Sequence, residues 1–418
     1  MNERGAARPG STPSSGGEAK AVRRSRLLFL LALLAVAAVL AVVFWSPITA
    51  QARAVVVLSS VLETPVLMPA VAAVTREPVV EDGYVAGNPA LIVRPGGEGP
   101  WPAVFFVNGT VQEGRELPEV RRLAEGFARA GYLVVVPDLP GLRSDRIMPE
   151  TAAEAVEVAR EVADSPDARD GGVGLVGVST GASLALLAAG DPEVREDVSV
   201  VSGVAPYSDI RTVLNVATTG YYREDGELVT YETDSFLSYV IASSLVAALP
   251  EGEDRDTLAS ELEEVYRYDP DPLAGLRDRC TVDLGPEAES VVELLANRNP
   301  GRFDELYEAL PEGVREDLKE LSPLAEVGYI EAPVELISGP RDKYFPVSES
   351  YAVSRIAPDL RVTVSGALDH SELSFSLREV PAFLRVNGFV VRSLREARDE
   401  ASHAQPEEQP LAASNSRR

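Results

Sequence analysis

The stretch Gly177-Val178-Ser179-Thr180-Gly181 sets a hydroxyl between two glycines, where the apolar run "GLVGV" gives way to "GASLALLAAG". A serine oxygen is a poor nucleophile until a base removes its proton. On a strand-to-helix turn that oxygen stands clear of a sheet and faces the positive end of the following helix. The turn is sharp enough for bulky neighbours to collide, which accounts for glycine at 177 and 181. With 32 glycines in 418 residues the pattern alone is weak. Its weight comes from its position at a strand–helix junction.

Such a serine needs an acid after a later strand and a histidine after the last one, in the chain order Ser, Asp, His. "VELISG" is followed by Pro340-Arg341-Asp342-Lys343-Tyr344-Phe345-Pro346, and "RVTVSG" by Ala367-Leu368-Asp369-His370-Ser371. Of two histidines in the chain, His403 lies in a polar, aperiodic tail, so His370 is the expected base. Asp342 is the expected acid. Asp369 is a rival, although a direct neighbour of His370 would point elsewhere, and Asp209 after "VSVVSGVAPYSD" is a second. Developing negative charge on a substrate oxygen would be met by backbone N–H groups. One is that of Thr180, and the other comes from the turn Asn108-Gly109-Thr110, through Thr110 or Gly109.

These residues need a scaffold that brings distant loops to one edge. "NPALIVRP", "WPAVFFV", "YLVVVPD", "GVGLVGV" and "VSVVSGVAP" are short strand-like runs. Between them "ELPEVRRLAEGFARA" and "ETAAEAVEVAREVAD" carry apolar residues at helical spacing. Fully apolar strands alternating with helices imply an α/β fold with a mostly parallel sheet covered on both faces. Ligands of such sheets bind beyond the carboxyl ends of the strands. The alternation holds over 76–209, stops over 210–328, where acidic helical patterns predominate, and resumes over 329–392. The middle segment therefore reads as a helical cap inserted over the strand ends. Tyr221, Tyr222, Tyr231, Phe236 and Tyr239 near its start either line an acyl pocket or form the cap's own core.

The ends read differently. Residues 1–26 begin Gly-, Ser- and Pro-rich and close on a basic cluster of Lys20, Arg23, Arg24 and Arg26, and 393–418 is polar and aperiodic; both read as disordered. The uninterrupted apolar run 27–45, at about 1.5 Å per residue, approaches the thickness of a bilayer core. It reads as an N-terminal transmembrane helix with the N-terminus cytoplasmic and the remainder exported. A signal peptide cleaved near Ala50-Gln51-Ala52 is the competing reading. The apolar linker 46–75 contains a second stretch, 54–74, where Glu63, Pro65 and Pro69 oppose insertion. It is expected on the membrane surface or against the globular domain; a hairpin returning that domain to the cytoplasm is the alternative.

A net charge of −26 argues against nucleic acid as a partner. A single cysteine, Cys280, permits no intramolecular disulfide, and without a His/Cys cluster zinc ligation of the usual kinds is not expected.

The elbow at 177–181, "VNGT", "VVVPDLPG", "SGPRDKYFP" and "LDHS" together resemble the α/β-hydrolase superfamily, over roughly 76–390. The resemblance implies an α/β-hydrolase fold with a helical cap and a Ser179–His370–Asp342 triad acting on small-molecule substrates without metal or organic cofactor. A more distant likeness is to dienelactone hydrolases, whose elbow carries cysteine where this chain has Ser179. Many members have His-Gly at the oxyanion turn, and here it is Asn108-Gly109. Relatives with an aspartate nucleophile are excluded by Ser179. The expected activity is a carboxylic ester hydrolase, membrane-bound through 27–45, with a peptidase or amidase, or a catalytically silent tethered binding module, as alternatives.

Overall fold

The computed structural model describes residues 48–63, 67–268, 271–273, 276, 284–373 and 379–398. The apolar run 27–45, Cys280 and His403 lie outside these residues. The chain divides into two units, 1–51 and 52–418. Residues 48–51 of the first are helical, and the second holds the sheet and its cap.

Strands β1 (Val79–Val85), β2 (Asn88–Arg94), β3 (Trp101–Val107), β4 (Leu133–Pro137), β5 (Ala168–Val178) and β6 (Val198–Val204) come first in the chain. A two-stranded hairpin, β7 (Tyr221–Glu224) and β8 (Glu227–Thr230), lies in the cap, and β9 (Val334–Ser338) and β10 (Leu360–Val364) complete the main sheet. That sheet has eight strands in the order β1-β2-β4-β3-β5-β6-β9-β10. β2 runs antiparallel to both β1 and β4, and every other pairing is parallel. Parallel pairing needs crossovers, and from β3 to β6 these are the helices α2 (Pro118–Arg129), α3 (Pro149–Ala163) and α4 (Thr180–Gly190), which follow a short α1 (Met68–Val74).

Alternation along the strands sorts side chains onto the two faces. Ala103, Phe105 and Val107 of β3 join a cluster with Ala155, Val158 and Val162 of α3 and Leu184 and Leu186 of α4. Val104 and Phe106 join the opposite cluster with Val120, Ala124 and Phe127 of α2. Each such buried large side chain contributes about 1.5–3 kcal/mol. Every residue of α4 is buried, since it lies between the sheet and neighbouring elements.

The cap comprises α5 (Ile210–Thr219), α6 (Ser235–Ala247), α7 (Glu253–Tyr268), α8 (Pro286–Ala296), α9 (Phe303–Glu308) and α10 (Glu312–Glu320) around its own apolar cluster. The β7–β8 hairpin within it turns at Asp225-Gly226, both with positive φ, as a two-residue hairpin requires. Its central strands are largely exposed, so no buried apolar run marks it in the sequence. After β9 come α11 (Val347–Ser354) and, at the end, α12 (Val380–Glu396).

Two boundaries differ from the sequence reading. The closing helix runs through Glu396 rather than stopping before 393, because Leu394 and Ala397 pack beneath the sheet with Val200. The stretch 54–74 forms helical turns over 52–61 and then, after 64–66, the seven residues of α1. Ala54 and Val57 are buried against the face holding Phe127 and Tyr132. Leu58 packs with Ile337, Ala367, Leu368, Val386 and Phe389. Among the described residues no helix is long and apolar enough to cross a membrane.

Leu58 thus sits beneath the strand end and loop that carry the expected acid and base. Leu58→Ala should lower the unfolding free energy by about 2–4 kcal/mol, read from urea denaturation. An unchanged midpoint would mean that the segment is not docked there.

Candidate active site

The sharp turn at Ser179 is forced by how closely α4 meets the sheet. A Cβ on Gly177 would fall on the Gly181 carbonyl oxygen and within 2.5 Å of Ala182 Cα. One on Gly181 would collide with the carbonyl oxygens of Val107 and Asn108 at the end of β3. With both glycines in place, Ser179 adopts φ 57 and ψ −128, a left-handed conformation rarely populated by a residue with a side chain. Its N–H donates to Val204 O at 2.8 Å, so β6 fixes the strained residue.

Asp342 lies in the loop after β9 and is 4 % exposed. The amides of Tyr344 and Phe345 donate to its Oδ1 at 2.8 and 3.0 Å. His370 occupies the tip of a tight turn between two-residue strands, β11 (Leu368–Asp369) and β12 (Glu372–Leu373), with φ 54. Its Nδ1 is 2.9 Å from both Asp342 oxygens. A carboxylate can only accept, so Nδ1 carries the proton and Nε2 is left as the acceptor. Edge-on contacts to Tyr344 and Phe345, at ring-centroid distances of 4.6 and 5.9 Å, hold the imidazole plane.

Ser179 and His370 line one cleft of about 530 Å³. Among the described residues no hydrogen bond joins the Ser179 hydroxyl to His370; in unliganded hydrolases this bond is often long and tightens with substrate. Of the rival acids, Asp369 is exposed. Asp209 instead caps α5, accepting from the Arg211 amide at 3.0 Å and the Thr212 hydroxyl at 3.2 Å.

The three oxyanion candidates divide. The Thr180 N–H opens α4 and has no intrahelical acceptor. Thr110 lines the cleft beside it, with its hydroxyl 3.0 Å from that of Thr180. Among the described residues the Thr110 N–H has no acceptor. The Gly109 N–H differs: it donates to the side-chain oxygen of Asn108 at 2.9 Å. Gly109 matters for space instead, since a Cβ there would come within 3.2 Å of Ser179 Cβ and of Val178 O.

A web of bonds pins the 108–116 loop to the segment after β4. The Arg115 amide donates to Asp138 Oδ1 at 2.8 Å, and the Arg115 and Arg143 guanidiniums both reach Oδ2. Arg143 also donates to Gln112 O at 2.9 Å, while Gln112 Nε2 donates to Asp145 Oδ2 at 2.6 Å. Asp145 lines the cleft, is 3 % exposed and has φ 54. Burial pushes its carboxyl above the usual range, the Gln112 bond opposes the rise, and the nearby Glu113 charge adds to it. Tyr266, Tyr344, Phe236 and Lys343 line the cleft as well.

Sequence reasoning missed Asp145, Gln112 and Tyr266. Asp145 does follow the carboxyl end of β4, where ligand-facing residues of an α/β sheet concentrate. The cap aromatics separate: Phe236 lines the cleft, Tyr222 is buried in the cap's core, and Tyr231 packs on Tyr222 at 5.9 Å. Tyr239 stacks on Tyr266 at 3.9 Å. Among the described residues no group of three His, Cys, Asp or Glu side chains is disposed to hold a metal ion.

A sequence profile of the alpha/beta hydrolase family matches residues 104–310. With the sheet and elbow described above, the chain belongs to the α/β-hydrolase superfamily. Among solved structures it is similar to a proline iminopeptidase of Mycobacterium smegmatis, at 17% identity over 77% of this chain and 100% of that one, TM-score 0.42. It is also similar to a 2,6-dihydroxy-pseudo-oxynicotine hydrolase, at 15% identity over 77% of this chain and 67% of that one, TM-score 0.40. A puromycin-hydrolyzing peptidase of Mycobacterium tuberculosis aligns at 17% identity over 77% and 38%, TM-score 0.40. No curated protein sequence matches the chain.

One buried acid steadies this architecture from behind. Glu349, on α11, accepts from the Ser208 amide and hydroxyl and from the Asp209 amide at 2.8–2.9 Å. Burial first, opposed by those bonds, raises its pKa from 4.5 to about 7. A carboxyl raised on folding contributes stability that is complete below the unfolded pKa and is lost as pH climbs through the folded one. The wild-type unfolding free energy should therefore decline between about pH 4.5 and 7, with Glu349 accounting for about 2–3 kcal/mol of that change. Glu349→Gln should flatten this part of a pH-stability profile, and an unaltered slope would assign it to other groups.

Proposed function

We propose that the chain is a membrane-tethered serine hydrolase acting on carboxylic esters. The observation that carries the reading is the His370 imidazole, oriented by Asp342 through Nδ1 and opening its other nitrogen to the cleft that Ser179 lines. His370 Nε2 takes the Ser179 proton as the hydroxyl attacks the ester carbonyl. Asp342 fixes the tautomer and steadies the imidazolium that forms. The Thr180 and Thr110 N–H groups receive the oxyanion. His370 then gives its proton to the departing alcohol, leaving Ser179 acylated. Water, deprotonated by the same nitrogen, attacks the acyl-enzyme and releases the acid.

Membrane attachment rests on the 27–45 run with its basic flank and Trp45. The full-length chain should stay with the membrane fraction through alkaline carbonate and be released by detergent. Recovery in the carbonate supernatant, or a mature N-terminus near residue 51, would rule out the anchor and favour signal cleavage.

Ser179→Ala should lower ester turnover by about 10⁴-fold or more with an unchanged circular-dichroism spectrum, and should abolish labelling by a fluorophosphonate probe. Undiminished hydrolysis in that variant would end the proposal. Matched ester and amide substrates on the wild type separate an esterase from an amidase. Absence of both labelling and turnover would identify a silent binding module.

A further inference from the structure

Resting on the serine-hydrolase reading above, we propose that Asp145 is a specificity determinant that receives a protonated amine on the substrate. Of the charged side chains lining the cleft, Asp145 is the deeply buried carboxylate, and the cation lining it, Lys343, is held by Glu372 at 3.2 Å. Gln112 occupies one Asp145 oxygen as a neutral donor. The other has no hydrogen-bond or ion-pair partner among the described residues, although a buried carboxylate is normally paired. Two arginines stand close by in the chain, yet Arg143 is drawn to Asp138 and Arg146 lines a separate pocket. The free oxygen therefore faces a space that the protein does not fill with positive charge.

The surroundings suit a cation too. Phe236, Tyr266 and Tyr344 line the same cleft, with Phe236 6.5 Å from Tyr266 and 6.2 Å from Tyr344 between ring centroids. Aromatic faces attract ammonium groups that are losing their water. Glu113 at the rim adds to the negative potential. The backbone holds the carboxylate in place: Asp145 sits in a left-handed conformation, its Gln112 bond ties it to the oxyanion loop, and two residues on the Ile147 amide donates to Ser244 of the cap at 2.9 Å. An ester spanning the cleft would place its carbonyl at Ser179 and its amine at Asp145.

The test uses pairs of esters equal in length, one ending in an ammonium group and the other in methyl. Methyl 6-aminohexanoate against methyl heptanoate probes the acyl side, and 6-aminohexyl acetate against heptyl acetate the alcohol side, with shorter homologues of each. At constant ionic strength the wild type should favour the amine in one series by about tenfold or more in kcat/KM, as a charge-assisted bond predicts. Asp145→Asn should bring that ratio to about one. Independently of any variant, n-butylammonium should compete with a neutral ester on the wild type, and butanol at equal concentration should not. A ratio near one in both series, or a ratio that survives Asp145→Asn, overturns the amine site. Fluorophosphonate labelling and turnover of neutral esters are measured alongside, so that loss of the serine-hydrolase reading is seen separately.

Discussion

The first turn of α4 meets the ends of β3 and β5 with no room for a side chain, and the site depends on that approach. At that crossing the backbone atoms of Gly181 lie against the Val107 and Asn108 carbonyls, and those of Gly177 against Ala182. Any side chain would push the helix outward, so both positions are glycine and the strain falls on the residue between them. Holding Ser179 at φ 57 costs of the order of 1–3 kcal/mol. Burial of Leu184, Leu186 and their neighbours on the same helix offsets that cost. The outcome is a hydroxyl lifted off the sheet with an unpaired helix-end N–H beside it.

Left-handed backbone recurs beyond the carboxyl ends of the strands. Ser179 and Ala205, with φ 57 and 51, directly follow β5 and β6, and Asp145 and His370, each with φ 54, lie in the longer connections after β4 and β10. Chain leaving a parallel strand must turn at once to begin its return, so strain gathers at this edge. The same edge is where side chains from β3, β4, β5, β9 and β10 converge. The juxtaposition of Ser179, Asp342 and His370 is thus a consequence of parallel connectivity, with Leu58 packing against Ile337, Ala367 and Leu368, next to the Asp342 and His370 loops.

Legibility in the sequence follows the range of the interactions. The elbow was readable because its glycines act on neighbours within five residues, and His370 because imidazole is scarce in this chain. Buried strands β3 to β6 announced themselves as apolar runs. β1 did not, since its alternating and mostly exposed residues, such as Tyr84, belong to a sheet edge. The hairpin in the cap carried an Asp225-Gly226 signal that the surrounding acidic, helix-like composition obscured. The Gly109 N–H is taken up by the Asn108 side chain, a local competition that spacing does not reveal. Asp145 was hidden for the opposite reason: its surroundings come from Gln112, Tyr266 and Tyr344, which are distant in the chain.

The cap is bound to both walls of the cleft, and this bears on how a substrate is chosen. On the acid side, the Tyr231 hydroxyl donates to the Asp342 carbonyl, while the Thr233 hydroxyl and Asp234 amide donate to Lys343 O at 3.0 and 2.9 Å. Burial, then the Asp342 charge, pushes the Tyr231 phenol up, so it remains a donor. Across the cleft, Ser244 accepts from the Ile147 amide, beside Asp145. A cap swinging open as one body would break bonds to the backbone of the very loop that orients His370. With the cap held in this way, the side chains lining the cleft include Phe236, Tyr266 and Tyr344. In that arrangement the cap and the Asp342–His370 pair share one set of hydrogen bonds, so a change near Tyr231 or Thr233 reaches the imidazole through the Asp342 loop.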